Sequence, residues 1–203
     1  MIIIGITGSI GMGKSTIALM LNFFGIPVHD SDRAVKTLLE EEFIIELIKK
    51  KWPSCIIDNE KKIKINKEEL SKIIFDNSKE RKNLENLIHP YVIKNRNNFI
   101  KKNKNKRIIG IDVPLLYETR TDKICNYIFL ASASDKIQEK RVLKRANMNI
   151  EKFNKINNNQ LSGFEKKNKN PVIIPTGYGK IITFITVILN LLWIIIKTKS
   201  VRL

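Results

Sequence analysis

The sequence predicts an α/β fold in which a parallel sheet is flanked by helices, and its N-terminal segment carries most of that prediction. Residues 2–6 form an apolar run rich in β-branched side chains, which is typical of a strand buried on both faces of a parallel sheet. A glycine-rich loop, a helical pattern and a second short apolar segment follow this run. Such an alternation of strand, helix and strand is typical of a parallel α/β protein.

The first helix is expected to begin near Gly13 and to end at Gly25, because glycine commonly follows the last turn of a helix. Its buried face is expected to consist of Ile17, Leu21 and Phe24. Residues 27–29 then predict a second short strand.

A helical insertion is predicted over residues 33–107. Its apolar residues recur at helical spacing, as in Phe43, Leu47 and Ile48. Pro53 and the polar stretch 58–62 are expected to interrupt the helices.

The second half of the chain returns to the α/β pattern. Residues 108–113, 126–131 and 172–174 are apolar runs that predict further buried strands. Residues 135–147 predict a charged helix, and the Asn- and Lys-rich stretch 151–170 predicts a hydrophilic helix or loop.

The C-terminal segment 181–196 is almost entirely apolar and lies between Lys180 and Lys197. Its length falls short of the roughly 20 residues that a membrane-spanning helix needs, and Asn190 interrupts it. We therefore expect a closing helix packed on the sheet, although a surface helix ordinarily has a clearer polar face. A membrane is not expected as a partner.

Composition places the chain among globular proteins of a reducing compartment. Its 203 residues are 43% hydrophobic and 28% charged, which excludes a disordered chain, a collagen-like fibre and a disulfide-rich miniprotein. Cys55 and Cys125 are too few and too far apart for a disulfide framework or a paired-cysteine zinc site. The N-terminus lacks the pattern of a cleaved signal peptide. A cytoplasmic location is expected.

The net charge of +17 does not by itself predict a nucleic-acid partner. Lys, Asn and Ile, which AT-rich codons encode, are abundant along the whole chain. Base composition can account for much of the charge. The remaining excess is consistent with electrostatic steering of polyphosphate ligands.

The main chemical motif is a phosphate loop at residues 8–15, which reads Gly-Ser-Ile-Gly-Met-Gly-Lys-Ser between the first strand and the first helix. Its glycines allow successive backbone N–H groups to point at phosphate oxygens, and the helix dipole adds positive charge. Lys14 is expected to bridge the β- and γ-phosphates of ATP, and the Ser15 hydroxyl to bind Mg²⁺. The predicted fold class is therefore a P-loop NTPase-type core. The predicted nucleotide-binding residues are Gly11, Met12, Gly13, Lys14, Ser15 and Thr16.

Two carboxylates follow the second strand, at Asp30 and Asp32. Ligands of parallel α/β folds bind at the carboxyl ends of the strands. Carboxylates there can hold an acceptor hydroxyl, remove its proton or position a metal. Alternatively, either residue can serve as the N-cap of the next helix.

Other elements of a GTPase are missing from the sequence. Asp112 is followed by Val-Pro-Leu rather than by a pattern ending in glycine, and no Asn-Lys-x-Asp base-recognition motif is present. A GTPase is therefore not expected.

With these motifs the chain resembles the dephospho-CoA kinases over roughly residues 1–165. The resemblance is carried by the phosphate loop with Thr16 and by four further segments, which are 25–32, Leu84-Glu85 through His89-Pro90, 112–118, and Gln138 followed by Arg141 and Arg145. It implies transfer of the γ-phosphoryl group of ATP to the ribose 3′-hydroxyl of dephospho-CoA, which gives coenzyme A and ADP in the last step of coenzyme A synthesis. It also implies a kinase core (1–32 and 108–203), a helical substrate domain (33–107) and a mobile lid (about 135–165).

The resemblance also implies roles for individual residues. Asp32 becomes the expected base on the 3′-hydroxyl, with Asp30 supporting substrate or metal. His89 can contact an acceptor phosphate, or it can be a capping or packing residue.

The resemblance extends to two arginines and an aspartate of the core. Arg141 and Arg145 lie four residues apart, on one face of the predicted helix. They can clamp the transferring phosphoryl group, or they can be solvated charges. Asp112 is expected to act indirectly toward Mg²⁺.

The C-terminus departs from the family pattern. Thr176 and Gly177 keep part of the family's final signature, but the helix after them is apolar on all faces. Two alternatives remain open at this point. One is another small-molecule P-loop kinase, acting on a nucleoside, a nucleotide or a shikimate-like alcohol. The other is a membrane-associated nucleotide-binding regulator.

Overall fold

A five-stranded sheet forms the centre of the first of two units into which the chain divides. In the computed structural model, residues 1–59, 62–146, 148–158 and 160–200 are described. The first unit comprises 1–29 and 103–203, and the second comprises 30–102. Positions 60, 61, 147 and 159, which belong to the predicted segments 58–62, 135–147 and 151–170, lie outside the described residues.

All five predicted strands are present, and the chain also contains two strands that were not predicted. The strands are β1 (Ile2–Thr7), β2 (Val28–Asp30), β3 (Ile56–Asn59), β4 (Lys62–Ile65), β5 (Ile108–Asp112), β6 (Tyr127–Ser132) and β7 (Val172–Pro175). The helices are α1 (Lys14–Phe23), α2 (Ser31–Leu38), α3 (Glu42–Lys51), α4 (Lys67–Asp76), α5 (Ser78–Lys102), α6 (Asp135–Leu143), α7 (Ile150–Asn158), α8 (Gly163–Lys167) and α9 (Lys180–Ser200). Short 3₁₀ turns occupy Pro53–Cys55 and Thr121–Ile124.

The sheet has the strand order β2-β5-β1-β6-β7. β1 pairs in parallel with β5 on one side and with β6 on the other, and β6 pairs in parallel with β7. The predicted parallel α/β core is confirmed. Because parallel strands end at the same edge, the segments that follow β1, β5 and β6 come together there.

The core of this unit lies between the sheet and the helices α1 and α9. Ile17 and Leu21 of α1 are fully buried, as predicted, and they pack with Ile4 of β1 and Val187 of α9. The prediction for Phe24 is wrong, since 38% of this residue is exposed. Phe24 lies past the last helical residue and stacks on Phe184 at a centroid distance of 5.3 Å, outside the buried cluster.

The closing helix predicted for the C-terminus is confirmed as α9. It buries Val187, Leu191 and Ile194 in the core of the first unit. Over Lys180–Thr198 it is also long and apolar enough to cross a membrane, by the criteria of length and composition alone.

The second unit is mainly helical, and its core includes Leu38, Ile44, Ile48, Leu84 and Ile88. Of the predicted polar interruption at 58–62, Asp58 and Asn59 belong to β3 and Lys62 belongs to β4. These two strands form an antiparallel hairpin between the helices α3 and α4 in the chain. The sequence of β4, Lys-Ile-Lys-Ile, alternates polar and apolar residues, which is the pattern of a strand with one buried face. The helices are therefore interrupted where the sequence predicted, but the strands of the hairpin were not predicted.

The charged helix predicted for 135–147 is shorter than expected. α6 ends at Leu143, and the backbone N–H of Arg145 donates to the carbonyl of Val142 in a tight turn. Asn149 then starts the next helix, because its side chain accepts a hydrogen bond from the backbone N–H of Lys152 at 2.8 Å. Asparagine favours such helix starts over helix interiors.

Candidate active site

The phosphate loop joins β1 to α1, and its curvature depends on three glycines. Gly8, Gly11 and Gly13 have φ values of 147°, 77° and 94°, which side chains with a Cβ rarely adopt. A Cβ on Gly11 would lie 2.6 Å from Cγ2 of Val142 and 2.9 Å from the Gln138 carbonyl oxygen. Both the backbone conformation and the space therefore require glycine.

Lys14 is the first residue of α1, and its side chain returns across the loop. Its Nζ donates to the carbonyl oxygen of Gly8 at 3.0 Å. Ser15, the next residue, is exposed in the first turn. The ammonium group and the hydroxyl thus both lie where α1 begins, at the helix end that attracts phosphate.

Thr176, directly after β7, ties the loop to the sheet. This buried residue donates its backbone N–H to the carbonyl of Ser132 at 2.8 Å, and its Oγ1 donates to the carbonyl of Met12. A Cβ on Gly13 would lie 2.9 Å from the same Oγ1. The threonine therefore fits closely against the loop.

Arg141 of α6 also reaches the loop. Its Nη2 donates to the carbonyl of Thr176 at 2.6 Å, and its Nη1 lies 3.2 Å from the Thr176 Oγ1 and 3.4 Å from the carbonyl oxygen of Gly11. The side chain is half-buried, so the alternative of a merely solvated charge does not describe Arg141. Arg145 is exposed beyond the end of α6, and the prediction that both arginines share one helix face is wrong for that reason.

Two glutamines hold the tip of the loop. Gln138 of α6 is buried and donates its Nε2 to the carbonyl of Ile10 at 2.8 Å. The backbone N–H of Ile10 in turn donates to Oε1 of Gln160 at 3.1 Å. Both polar groups of the Ile10 backbone are thus satisfied by side chains that follow β6.

Lys166 is a site residue that the sequence reasoning missed. It lies on α8 with no exposed surface, and its Nζ donates to Oγ of Ser9 at 3.2 Å. Burial lowers the pKa of this amine, nearby Glu118 opposes the change, and the charge of Lys14 adds to it. The phosphate loop is therefore lined by cationic side chains from three different elements: Lys14, Arg141 and Lys166.

A local signal for Lys166 exists in the sequence. Ser162 accepts from the backbone N–H of Glu165, whose carboxylate accepts from the backbone N–H of Ser162. This Ser-x-x-Glu capping box predicts the start of a helix. Without this capping box, the sequence gives no reason to distinguish Lys166 from the exposed lysines that follow it.

Asp112 ends β5 beside the loop. It is in register with Ile6 of β1, and the backbone N–H of Val113 donates to the carbonyl of Ile6 at 3.0 Å. The residue is 9% exposed. Among the described residues no cluster of three or more His, Cys, Asp or Glu side chains could hold a metal ion. The oxygen-bearing side chains near the loop, such as those of Ser15 and Asp112, are therefore isolated from one another in the sequence and do not form such a cluster.

The remaining predicted residues belong to the second unit. Asp30, the last residue of β2, accepts the backbone N–H of Arg33 at Oδ1 with a distance of 2.9 Å. This is the N-cap role that the sequence left open. Asp32 is exposed in the first turn of α2. His89 is exposed in the interior of α5, so it is neither a helix cap nor a packing residue.

Comparison with known proteins points to one family. A model of the dephospho-CoA kinases matches residues 2–178. The dephospho-CoA kinase of Bartonella henselae is 37% identical over 177 residues, which cover 86% of this chain and 89% of that protein. The dephospho-CoA kinase of Fusobacterium nucleatum is 36% identical over 172 residues, which cover 85% of this chain and 88% of that protein.

Two solved structures are similar along almost the whole chain. TT1252 from Thermus thermophilus has a TM-score of 0.80 at 25% identity, with coverage of 94% of this chain and 96% of that one. Dephospho-CoA kinase from Campylobacter jejuni has a TM-score of 0.64 at 21% identity and covers 95% and 96%, which shows a common fold. The family match ends at residue 178, before α9 begins at Lys180.

Proposed function

Because the chain belongs to the dephospho-CoA kinase family, we propose that it transfers the γ-phosphoryl group of ATP to the ribose 3′-hydroxyl of dephospho-CoA. The products are coenzyme A and ADP, and the reaction is the last step of coenzyme A synthesis. The observation that carries this proposal is the phosphate loop with Lys14, Arg141 and Lys166 around it. A loop of this kind binds the polyphosphate of a nucleotide.

The three cations suit the charge of the transition state. In phosphoryl transfer, negative charge is spread over the equatorial oxygens of the γ-phosphate, and the protein contributes mainly positioning and electrostatic stabilisation. Lys14 supplies a point charge at the start of α1, and the planar guanidinium of Arg141 can grip a phosphate with parallel hydrogen bonds. Lys166 adds a charge that is already desolvated and held on Ser9.

Mg²⁺ fits the oxygen donors at this site. Ser15 would provide a hydroxyl to the ion, and the carboxylate of Asp112, at the end of a neighbouring strand, would act on it indirectly through water. Mg²⁺ is usually bound by one or two protein oxygens together with substrate phosphates, rather than by a cage made of protein alone. When bound, the ion would neutralise charge on the β- and γ-phosphates.

We assign the base to Asp32. One oxygen of Asp30 already accepts the backbone N–H of Arg33, which fixes that side chain as the cap of α2 and suits it to a supporting role. Asp32 would accept the 3′-hydroxyl proton as the hydroxyl oxygen attacks the γ-phosphorus and the bond to the β-phosphate oxygen breaks. His89 and Arg145 are both exposed. We assign both side chains to binding the phosphates of the acceptor.

The activity is tested by supplying the purified chain with ATP and Mg²⁺ and measuring ADP release with a panel of acceptors. The panel contains dephospho-CoA, adenosine, AMP and shikimate, so it includes the other acceptors that the sequence left open. We expect ADP release with dephospho-CoA and the appearance of coenzyme A in equal amount. A higher kcat/KM for any other acceptor would overturn the assignment.

The Lys166→Met variant is expected to lower kcat/KM for ATP by about 10- to 100-fold, the scale of one lost charge-assisted hydrogen bond. Methionine keeps the length of the side chain and removes the charge that lies against Ser9. Lys167→Met is the matched control, because Lys167 is exposed on the same short helix. Equal losses in the two variants, measured by steady-state kinetics, would contradict a specific role for Lys166.

The pH dependence offers a second test of Lys166. Since burial lowers its pKa, the neutral amine forms at a lower pH than the 10.5 of an ordinary lysine. If the cation is needed, activity should fall on the alkaline side as this proton is lost. Lys166→Arg stays charged throughout, so its alkaline limb should move to higher pH even if its maximum rate is lower. An unmoved limb would mean that another group titrates there.

The Arg141→Lys variant is expected to lower turnover about tenfold or more while weakening ATP binding much less, since a lysine cannot replace the forked hydrogen bonds of a guanidinium. The guanidinium of Arg141 binds both Thr176 and the loop at Gly11. We expect its other N–H groups to donate hydrogen bonds to the transferring phosphoryl group when the predicted lid, about 135–165, closes. Turnover at saturating ATP and acceptor and the Kd for ATP are the measurements. Lys140→Gln, an exposed change on the same helix, serves as control, and wild-type turnover in Arg141→Lys would refute the role.

A further inference from the structure

The outward side of α9 is an apolar stripe that the described residues of its own unit leave largely exposed. Its large exposed side chains are Ile181, Ile182, Ile185, Leu189, Leu192, Trp193 and Ile196. They recur three or four residues apart, so they lie along one side of the helix. Ile181, Leu189 and Ile196 are 76%, 60% and 67% exposed. We call this surface the outer face of α9.

The opposite side of the helix is committed to the core. Thr183, Val187, Leu191 and Ile194 are buried, and Oγ1 of Thr183 donates to the carbonyl of Pro175 at 2.9 Å. Arg107 further binds the carbonyl oxygen of Ile195 through Nη2 at 3.0 Å. The helix could not span a membrane without removing these residues from the sheet, so any membrane contact must leave it lying flat.

The apolar surface continues onto the end of α1. Leu19 and Phe23 are 70% and 76% exposed, and the rings of Phe23 and Phe24 both lie against Phe184 of α9. A contiguous exposed patch of this kind marks an interaction surface in soluble proteins.

Positive charge surrounds the patch. An apolar groove of about 320 Å³ lies between the end of α1 and α9, and Lys106 and Arg107 stand among its lining residues. Lys180 begins the helix, and the Nζ of Lys197 lies 4.7 Å from the ring centroid of Trp193. The sequence of α9 contains no Asp or Glu, and the whole chain carries a net charge of +17.

We propose that the outer face of α9 binds the surface of an anionic lipid bilayer. Its apolar side chains would enter the boundary between headgroups and acyl chains, and the surrounding lysines and Arg107 would meet lipid phosphates. Tryptophan beside a lysine is a common arrangement at that boundary. The net charge favours this partner over a second copy of the chain. Two copies that each carry a net charge of +17 repel each other, whereas an anionic lipid surface attracts the chain.

This proposal differs from the expectation drawn from the sequence, in which a membrane is not a partner. That expectation rested on the length needed to cross a bilayer. A helix lying in the interface requires an apolar side and flanking cations instead of a minimum span. The proposal is independent of the acceptor that the enzyme uses.

The test is co-sedimentation of the full chain with phosphatidylcholine vesicles that contain or lack phosphatidylglycerol. We expect binding to the anionic vesicles at low salt, weakened by salt. The double variant Leu189→Gln/Trp193→Gln should bind at least about tenfold more weakly, as expected from the loss of two inserting side chains. Leu189 is 60% exposed, whereas the ring of Trp193 also contacts that of Tyr127 at a centroid distance of 5.7 Å. Thermal unfolding is therefore measured beside binding to show that the variant is folded, and the kinase activity in solution should not change. Ile150→Gln, at a residue that is 50% exposed on another helix, is the matched control and should bind like wild type.

Fluorescence gives an independent readout. The chain has two tryptophans, of which Trp52 is 6% exposed and Trp193 is 48% exposed. Anionic vesicles should therefore shift the emission of Trp193 to shorter wavelength. Absence of binding to anionic vesicles at low salt would overturn the proposal. So would a concentration-dependent dimer that Leu189→Gln/Trp193→Gln dissociates, because the outer face of α9 would then be covered by a second copy.

Discussion

Lys14→Ala is expected to reduce phosphoryl transfer by about a thousandfold, the upper scale for removing one preorganised group that stabilises transition-state charge. The side chain lies on the loop itself, with its Nζ bound to the carbonyl of Gly8. Its removal takes away a charge where negative charge develops on the γ-phosphate. Steady-state turnover with saturating ATP and acceptor is the measurement.

The fold should survive this change. Lys14 is only partly buried, and alanine is a good helix former at the start of α1. Thermal unfolding should therefore stay close to wild type, and Lys136→Ala, at an exposed lysine of α6, should retain full turnover. Retention of more than a tenth of wild-type turnover by Lys14→Ala would contradict the assignment of the phosphate loop.

The sheet was predictable because its central strands are buried on both faces. A strand in that position must be largely apolar, as β1 and β5 are up to their last residues, and such runs stand out from the lysine-rich sequence around them. The hairpin of β3 and β4 was not predicted. Its strands are short and half-polar, and helical spacing on both sides of them dominated the pattern.

The phosphate loop was predictable from its glycines, whereas not all side chains near it could be predicted from the sequence. Gly11 is dictated locally by its backbone conformation and by the lack of space for a Cβ. Lys166 depends instead on tertiary structure, because its burial follows from where α8 packs. The prediction for Arg145 was wrong because α6 ends at Leu143, two residues before it, and Asn149 then caps the next helix.

Asp32→Asn is expected to lower turnover by about 100-fold or more, the usual scale of a positioned base, while leaving ATP binding unchanged. An amide cannot accept the proton of the 3′-hydroxyl. The exposed position of Asp32 in the first turn of α2 makes a large effect on folding unexpected. The measurements are kcat with dephospho-CoA and the Kd for ATP.

Asp30→Asn is the informative partner of that variant. Asparagine caps helices about as well as aspartate, so its side-chain oxygen can still accept the backbone N–H of Arg33 and α2 should still begin at Ser31. The two variants thus remove the same charge two residues apart and are both expected to preserve the helix. If Asp30 acts only in support, its loss of turnover should be the smaller one. A larger loss in Asp30→Asn would reverse the roles and make the capping carboxylate the base, with the Arg33 N–H orienting it toward the hydroxyl.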